Sequence, residues 1–492
     1  MPAVTGLGSG LDIEGLVTGL INAESTAQLS IFAQRTQKAT SLISGFGDIR
    51  SSLDALRQTL TSLETSDTFQ SVTSTSSSPS TATITSEPGA AAGSYSLEVS
   101  ALAERQSLVS GDFAATTTEV GTGTLTINLG SPTYNVAPAD TSTYASFSED
   151  VSESAITVSI ASGSSTLADV RDAINAATDK VNAAIVKNGS DYKLLISPTE
   201  SGIGNSLSIS VTDTGDDNDT DSLGLSQLAF NTTVANLDQS RAASDARFSI
   251  NGMALTSESN VLSDVVDGID ITLLQATSGA VTLSVFNDYS VAESAVNSFI
   301  SAYNAYVTTN DVLTDYNAAT NVSGALFGDF TARTIAGQIR TQLSTTIASA
   351  TGTYTTLSDI GIEVQTNGTL ELDTTRFQSA MAADTQSVQS IFVDRTENGS
   401  TLSGFASVMD DLLDTFTSST GTIKDRTDSI EPEMVGLAED ELEFARRMEN
   451  LEARYRRQFN ALDSLLAEIT ATQDYLTTAL DQLPGFVQKP KD

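Results

Sequence analysis

The chain has 492 residues and a formal net charge of −38, from 62 acidic and 24 basic side chains, and it contains no Cys, His or Trp. This length exceeds one ordinary hydrophobic core and predicts two to four domains. The acidic balance argues against a nucleic-acid partner, which requires clustered Lys and Arg, and against docking on anionic lipid. The missing residue types exclude disulfides, cysteine nucleophiles and Ser-His-Asp triads, and they leave zinc with carboxylate ligands alone. We therefore expect no cofactor, no metal and no enzymatic activity.

The beginning of the chain has no basic segment followed by an apolar one, which a conventional secretory signal requires. No stretch reaches the roughly 18 consecutive apolar residues of a membrane helix. We expect a protein that remains in the cytosol or leaves the cell by a route that cleaves no such signal.

Three glycines, Gly6, Gly8 and Gly10, precede the first apolar-periodic run. Their spacing is not that of a dinucleotide fingerprint, no strand precedes them, and a Walker loop would need a Lys followed by Ser or Thr. The sequence predicts a flexible leader before a helix capped by Asp12, and not a phosphate cradle.

Heptad patterns predict a long helix near each end of the chain, because apolar residues alternate at spacings of four and three. The N-terminal seam comprises Leu42, Phe46, Ile49, Leu53, Leu56, Leu60 and Leu63. The C-terminal seam comprises Tyr455, Phe459, Leu462, Leu466, Ile469, Gln473, Leu476, Leu480 and Leu483. Each apolar seam must pack against another element, and the simplest candidate is the helix at the other end of the chain. An open alternative is that residues 1 to about 40 and 440–492 become ordered only in an assembly, so both seams are candidate filament or inter-subunit contacts.

Between the heptads, residues 72–288 are rich in Ser, Thr and alternating β-branched residues, which is typical of strands. One helix interrupts them, with Leu167, Val170, Ile174 and Ala177 on one face, and helices return from residue 289. The predicted fold class is multidomain α+β, with paired N- and C-terminal helices and two inserted, mainly β head domains. The predicted domains are a terminal leg (1–42 with 430–492), a helical core (43–72 with 289–429), an inner β head (73–107 with 243–288) and an outer β head (108–242).

Two charged segments have a functional and a structural interpretation. The segment 213–224 places Asp217, Asp219 and Asp221 at the first positions of a calcium loop, but Ser222 and Leu228 replace the required Gly and Glu. A solvated acidic loop is the favoured interpretation. The run 439–457 places Glu452 four residues before Arg456, which predicts a surface ion pair on a helix, with a contact strip for a partner as the alternative.

The chain resembles the bacterial flagellar filament cap protein family, also called flagellar hook-associated protein 2 or the FliD family. The resemblance runs along the whole chain in the stretches "GLGSGLDIEGLVTGLINAE", "STLADVRDAINAA", "VNAAIVKNGSDYKLLISPTESGIGNSLSISV", "NVLSDVVDGIDITLLQATSGAVTLSVFND", "GALFGDFTARTIAGQIR", "GIEVQTNGTLELDTTRFQSAM" and "RYRRQFNALDSLLAEITATQDYLTTAL". The second and third resemble a small module that is repeated in flagellins and caps.

The resemblance implies a ring-like homo-oligomer at the tip of the growing filament, which holds exported flagellin while it folds and inserts. It implies an extracellular protein that leaves through the flagellar export channel without a cleaved signal. The implied partners are flagellin, the filament tip, the hook–filament junction proteins and an export chaperone on the C-terminal helix at roughly 440–483. Some family members also touch host mucin through the head, which nothing in this sequence decides.

Four other kinds of protein remain as alternatives. A hook–filament junction protein or a variant flagellin would share the paired terminal helices. A secreted acidic adhesin would share the Ser/Thr-rich strands without needing two matched heptads, and a glycosidase would need a convergent carboxylate pair that no motif singles out.

Overall fold

The computed structural model describes residues 12–134 and 144–482. The chain divides into two compact units. The helical unit comprises the chain up to Phe69 and from Ala292 onward, and the β unit comprises Gln70–Val291. The predicted α+β class with paired terminal helices is confirmed.

The helical unit contains long terminal helices and shorter central ones. The helices of the described chain are α1 (Ile13–Leu63), α2 (Ser66–Phe69), α3 (Leu167–Ala177), α4 (Ser290–Thr314), α5 (Phe330–Leu343), α6 (Thr374–Phe392), α7 (Phe405–Thr417) and α8 (Thr422–Asp481). All except α3 belong to this unit, with α4 beginning just before it. Helix α1 has 51 residues and α8 has 60, so they extend about 77 and 90 Å at 1.5 Å per residue.

Helix α1 begins where the sequence predicts. The Gly15 N–H donates to the Asp12 carboxylate at 2.9 Å, which satisfies one of the free amides of the first turn. Asp12 is therefore the N-cap. Gly6, Gly8 and Gly10 lie outside the described residues.

Aromatic rings form the centre of the helical unit. The rings of Phe69 and Phe392 stack with centroids 5.2 Å apart. Phe405 meets Phe392 edge-on at 6.2 Å and Phe299 edge-on at 5.4 Å. All four side chains are buried. Since α2, α4, α6 and α7 each contribute a ring, this cluster joins segments that are far apart in sequence.

Among the described residues, three small hairpins also belong to the helical unit, and the β unit has sixteen strands. The hairpins are β17 (Tyr316–Asn317) with β18 (Val322–Ser323), β19 (Ile362–Val364) with β20 (Leu370–Leu372), and β21 (Arg395–Glu397) with β22 (Ser400–Leu402). The strands of the β unit are β1 (Val72–Ser76), β2 (Ala82–Ser86), β3 (Gly93–Ala101), β4 (Ser107–Val109), β5 (Gly123–Tyr134), β6 (Tyr144–Glu149), β7 (Ile156–Ile160), β8 (Val181–Asn188), β9 (Asp191–Pro198), β10 (Ser206–Asp213), β11 (Asp238–Arg241), β12 (Ala246–Ile250), β13 (Met253–Ser257), β14 (Val261–Val266), β15 (Ile269–Leu273) and β16 (Val281–Asn287).

The described residues of the β unit form two hydrophobic cores, which we use to define two modules. The inner module has the antiparallel sheets β1-β16-β3-β12-β13 and β14-β15-β2 around residues such as Leu97 and Ile271. The outer module has the sheets β10-β5-β6, with β7 also on β5, and β11-β4-β9-β8. Its core includes Ile127, Ile209 and the α3 residue Ile174. The outer module is inserted in the chain between β3 and β12.

Helix α3 has a complete capping box. The Thr166 hydroxyl accepts from the Asp169 N–H at 3.2 Å, and the Asp169 carboxylate accepts from the Thr166 N–H at 3.1 Å. The Thr166 hydroxyl also donates to the Asp169 carboxylate at 2.6 Å, and this hydrogen bond together with that from the Thr166 N–H lowers the pKa of Asp169 below its ordinary value. Leu167, Val170 and Ile174 are buried as predicted, whereas Ala177, at the last turn, is exposed.

Replacing Thr166 with Ala is expected to destabilise α3 by about 1 kcal/mol, because the substitution removes the hydroxyl that caps the first turn. The α3 amides that exchange by local opening should exchange about fivefold faster in hydrogen-exchange measurements, which is the factor for 1 kcal/mol. Thr117→Ala is the matched control, because this residue is exposed and belongs to the segment whose backbone bonds to the start of α3. Equal exchange in the two variants would contradict the capping assignment.

Candidate assembly surface on the terminal helices

The two terminal helices pack against each other. Phe32 of α1 meets Phe444 of α8 edge-on with ring centroids 5.8 Å apart, and Leu437 and Met448 pack around them. Phe32, Leu437 and Phe444 are buried. Further toward the start of α1, Glu14 meets Arg456, which lies further along α8, so the helices run antiparallel. The predicted pairing of the two termini is therefore present within one chain.

An ion-pair cluster joins the beginning of α1 to α8. Two Arg456 nitrogens donate to the Glu14 carboxylate at 2.7 and 2.6 Å, and its Nε donates to Glu452 at 3.0 Å. The carboxylates of Glu14 and Glu452 raise the pKa of Arg456. The predicted Glu452–Arg456 pair is confirmed, whereas sequence reasoning missed Glu14. Exposed ion pairs of this kind contribute little to stability, so the pairs fix the register of the two helices more than they stabilise them.

The N-terminal seam lies in the core of the helical unit. Six of its residues are fully buried, and Leu42 is half-buried; the six are Phe46, Ile49, Leu53, Leu56, Leu60 and Leu63. A contact with another molecule requires exposed side chains. Their prediction as a filament or inter-subunit seam is thus corrected: the apolar face of α1 over these residues packs against its own unit.

Two ion pairs between α1 and α7 hold the same part of α1. Arg57 donates to Asp410 at 2.6 and 3.0 Å and to Asp414 at 2.6 Å, both on α7. These two carboxylates raise the pKa of Arg57 above its ordinary value. Arg57 is more than 350 positions away from both carboxylates, so no local sequence pattern indicates this contact.

The C-terminal seam, by contrast, is largely exposed. Residues 457–481 continue α8 for about 38 Å past Arg456. We define the terminal stripe as the exposed Leu and Ile side chains of this segment, which are Leu462, Leu465, Ile469, Leu476 and Leu480. Four of them, from Leu465 onward, share one open face of α8 with Glu468, Thr472, Gln473 and Thr477.

The terminal stripe differs from the predicted seam at several positions. Tyr455, Phe459 and Leu466 are half-buried, and Leu465 is more exposed than its predicted neighbour Leu466. Helix α1 also carries exposed apolar residues, which are Leu16, Leu20, Leu29 and Ile31. Leu16 and Leu20 follow the helical spacing of four residues, whereas Leu29 and Ile31 do not continue it. Contiguous exposed apolar side chains of this kind mark an interaction surface.

The acidic loop uses its carboxylates to cap its own backbone. Asp219 accepts from the Asp213 N–H at 2.7 Å, and Asp221 accepts from the Leu223 N–H at 3.0 Å. Asp213 accepts from the Leu225 N–H at 2.6 Å. Over residues 12–134 and 144–482, no group of three or more acidic side chains is placed to hold a metal ion. In the same ranges, no helix is both long and apolar enough to span a bilayer.

Comparison with known proteins decides the family. The family models "Flagellar hook-associated protein 2 N-terminus" and "Flagellar hook-associated protein 2 C-terminus" match residues 9–106 and 243–471. The flagellar hook-associated protein 2 of Escherichia coli (strain K12) is 31% identical over 484 residues, which cover 96% of each chain. The chain belongs to the flagellar hook-associated protein 2 family.

Two further relatives agree with this assignment. The B-type flagellar hook-associated protein 2 of Pseudomonas aeruginosa is 29% identical and covers 97% of each chain. The crystal structure of the D1-D2-D3 domains of the flagellar cap protein FliD from Escherichia coli superposes with a TM-score of 0.65 at 29% identity. It covers 79% of this chain and 99% of that one. The sequence resemblance to this family is therefore confirmed.

Proposed function

We propose that this member of the hook-associated protein 2 family forms the oligomeric cap at the distal end of the flagellar filament. There it promotes the folding and insertion of exported flagellin and prevents its loss. The relatives that support this role are named as hook-associated or flagellar cap proteins. The role is structural, and it requires no covalent chemistry.

The observation that carries this proposal is the terminal stripe. A 60-residue helix that ends in exposed Leu and Ile side chains gains stability when another molecule covers them, at about 25 cal/mol per Å² of apolar area buried. The exposed positions alternate with Thr and Gln side chains, so the contact is adhesive without being a continuous apolar seam. A cap that shifts as each subunit inserts requires such an attachment.

The same helix could bind different partners before and after export. An export chaperone that binds roughly 440–483 would shield the terminal stripe before export, and the filament tip or a hook–filament junction protein would replace it afterwards. Export through the flagellar channel, without a cleaved signal, would then place the protein outside the cell. No contact with host mucin is part of this proposal.

Immunogold electron microscopy on intact cells tests the proposed location. An antibody raised against residues 108–242 recognises the outer module, and gold is expected at the free ends of filaments. Gold at the filament base would instead indicate a hook–filament junction protein. Gold scattered over the cell surface would overturn the flagellar role in favour of an adhesin.

A further inference from the structure

The outer module carries a groove with two arginines. We define the arginine groove by Arg105, Asn182, Ser197, Ser240 and Arg241, which line a cavity of about 540 Å³. Asn182, Ser197 and Ser240 lie on β8, β9 and β11 of one four-stranded sheet, and Arg105 precedes the central strand β4. The groove therefore lies on the polar, open face of that sheet.

Neither arginine of the groove forms a close ion pair with a carboxylate of the described residues. Arg105 is exposed and forms no hydrogen bond or ion pair with any residue of the described ranges 12–134 and 144–482. Arg241 is also exposed, and its nearest carboxylate, that of Glu104, is 4.0 Å away, at the limit of an ion pair. The groove thus brings two guanidinium groups together in a chain whose net charge is −38. The groove is thus suited to an acidic ligand.

The opposite end of the same module presents acidic groups. The acidic loop, residues 214–221, contains Asp216, Asp217 and Asp219, all exposed. From residue 194 to residue 240 the sequence has no Lys or Arg, so no local base neutralises the loop. Each of these carboxylates keeps acceptor capacity for a guanidinium.

Strand β10 separates the groove from the loop. Gln106, which lines the groove, accepts from the Leu207 N–H at 2.7 Å at the start of β10. Asp219 binds the Asp213 N–H at the end of the same strand. Six residue steps at about 3.3 Å each place these points roughly 20 Å apart. The loop of one copy therefore does not reach its own groove, whereas the loop of another copy can.

We propose that neighbouring copies of this chain contact each other head to tail, with the acidic loop of one copy in the arginine groove of the next. This inference rests on the proposed oligomeric cap and names the surfaces that join its subunits. A contact between two different patches is heterologous, and it forms a ring when the repeated rotation between copies closes. Guanidinium–carboxylate pairs suit such a contact because they combine charge with directional hydrogen bonds. Salt weakens pairs at this exposure, so assembly through this contact is sensitive to ionic strength.

The absence of Cys from the sequence allows a direct cross-linking test. The full-length variant Thr220→Cys/Ser240→Cys places one thiol in the loop and one at the groove. A short bismaleimide applied to filaments on cells is expected to give a ladder of dimers, trimers and higher oligomers. Each single-Cys variant can give no product beyond a dimer. The pair Ala176→Cys/Ser240→Cys, with its first thiol on the exposed surface of α3, is the matched control and is expected to give no ladder.

Charge reversal tests the physical cause in the same double-Cys background. Arg105→Glu/Arg241→Glu should lower the ladder yield at least tenfold at low salt, and so should Asp216→Lys/Asp217→Lys. Combining all four changes in one chain should restore the yield, because a groove with negative charges then faces a loop with positive charges. Arg171→Glu/Arg247→Glu makes the same charge change outside the groove and should leave the yield unchanged.

The outcomes separate this contact from the cap role itself. A missing ladder, or a yield that ignores charge reversal, in protein that immunogold detects at filament ends would overturn the head-to-tail contact and leave the cap proposal standing. Protein absent from filament ends would overturn the cap proposal, and this contact with it.

Discussion

Replacing Ile469 and Leu476 with Asp is expected to abolish attachment of the protein to filament ends. The two side chains are 54% and 53% exposed, so the substitutions do not disturb a packed core. In a complex they would place two carboxylates in an apolar contact, and burying an unpaired charge is costly. A loss of at least a hundredfold in the affinity for filament ends is expected, measured by binding of labelled protein to cap-deficient filaments.

The matched control is Thr470→Asp/Thr478→Asp, which adds the same charge to exposed positions of α8 that do not belong to the face of the terminal stripe. Circular dichroism should show unchanged helix and strand signals for both variants. Loss of strand signal in Ile469→Asp/Leu476→Asp would contradict the division into two independent units. Equal attachment of the two variants would contradict the assignment of the terminal stripe.

Replacing Phe405 with Ala is expected to destabilise the helical unit by about 3–5 kcal/mol. The ring is fully buried and contacts both Phe299 and Phe392. The substitution removes its apolar contacts and leaves a cavity at the point where α4, α6 and α7 meet. Urea unfolding followed by the helix signal at 222 nm should show a lower midpoint.

Phe330→Ala is the matched control, because that ring is 75% exposed at the start of α5. A change below about 0.5 kcal/mol is expected for this variant, as for other surface substitutions. The strand signal of the β unit should unfold at the same urea concentration in both variants. A similar loss of stability in both would show that the cluster around Phe405 is not a packed core.

The local elements of this protein could be predicted because they follow from short-range periodicity. Apolar spacings of three and four over residues 42–63 give a helix with one buried face whatever surrounds it. Alternation in 93–102, 123–130 and 205–213 corresponds to strands β3, β5 and β10. The caps at Asp12 and Thr166 follow from the hydrogen-bonding capacity of their side chains.

The partner of each apolar face could not be predicted in the same way. The N- and C-terminal heptads look alike in sequence, yet Leu56 is fully buried and Leu476 is exposed. The difference arises because α7 and α8 cover the first seam, whereas α8 continues beyond the contact between Glu14 and Arg456. A heptad pattern indicates that one face of a helix is apolar, but only the packing of distant segments determines what covers that face.

The arginine groove shows the same division between local and tertiary information. Arg105 and Arg241 are separated by 136 positions, and pairing of β4 with β11 brings them to one sheet. The sequence by itself determined the helices, the strands, the acidic surface and the family resemblance, because each depends on neighbouring residues or on ordered motifs. The tertiary structure alone decided which heptad is core, which remains exposed and which charges converge, because burial and convergence depend on contacts between residues far apart in the chain.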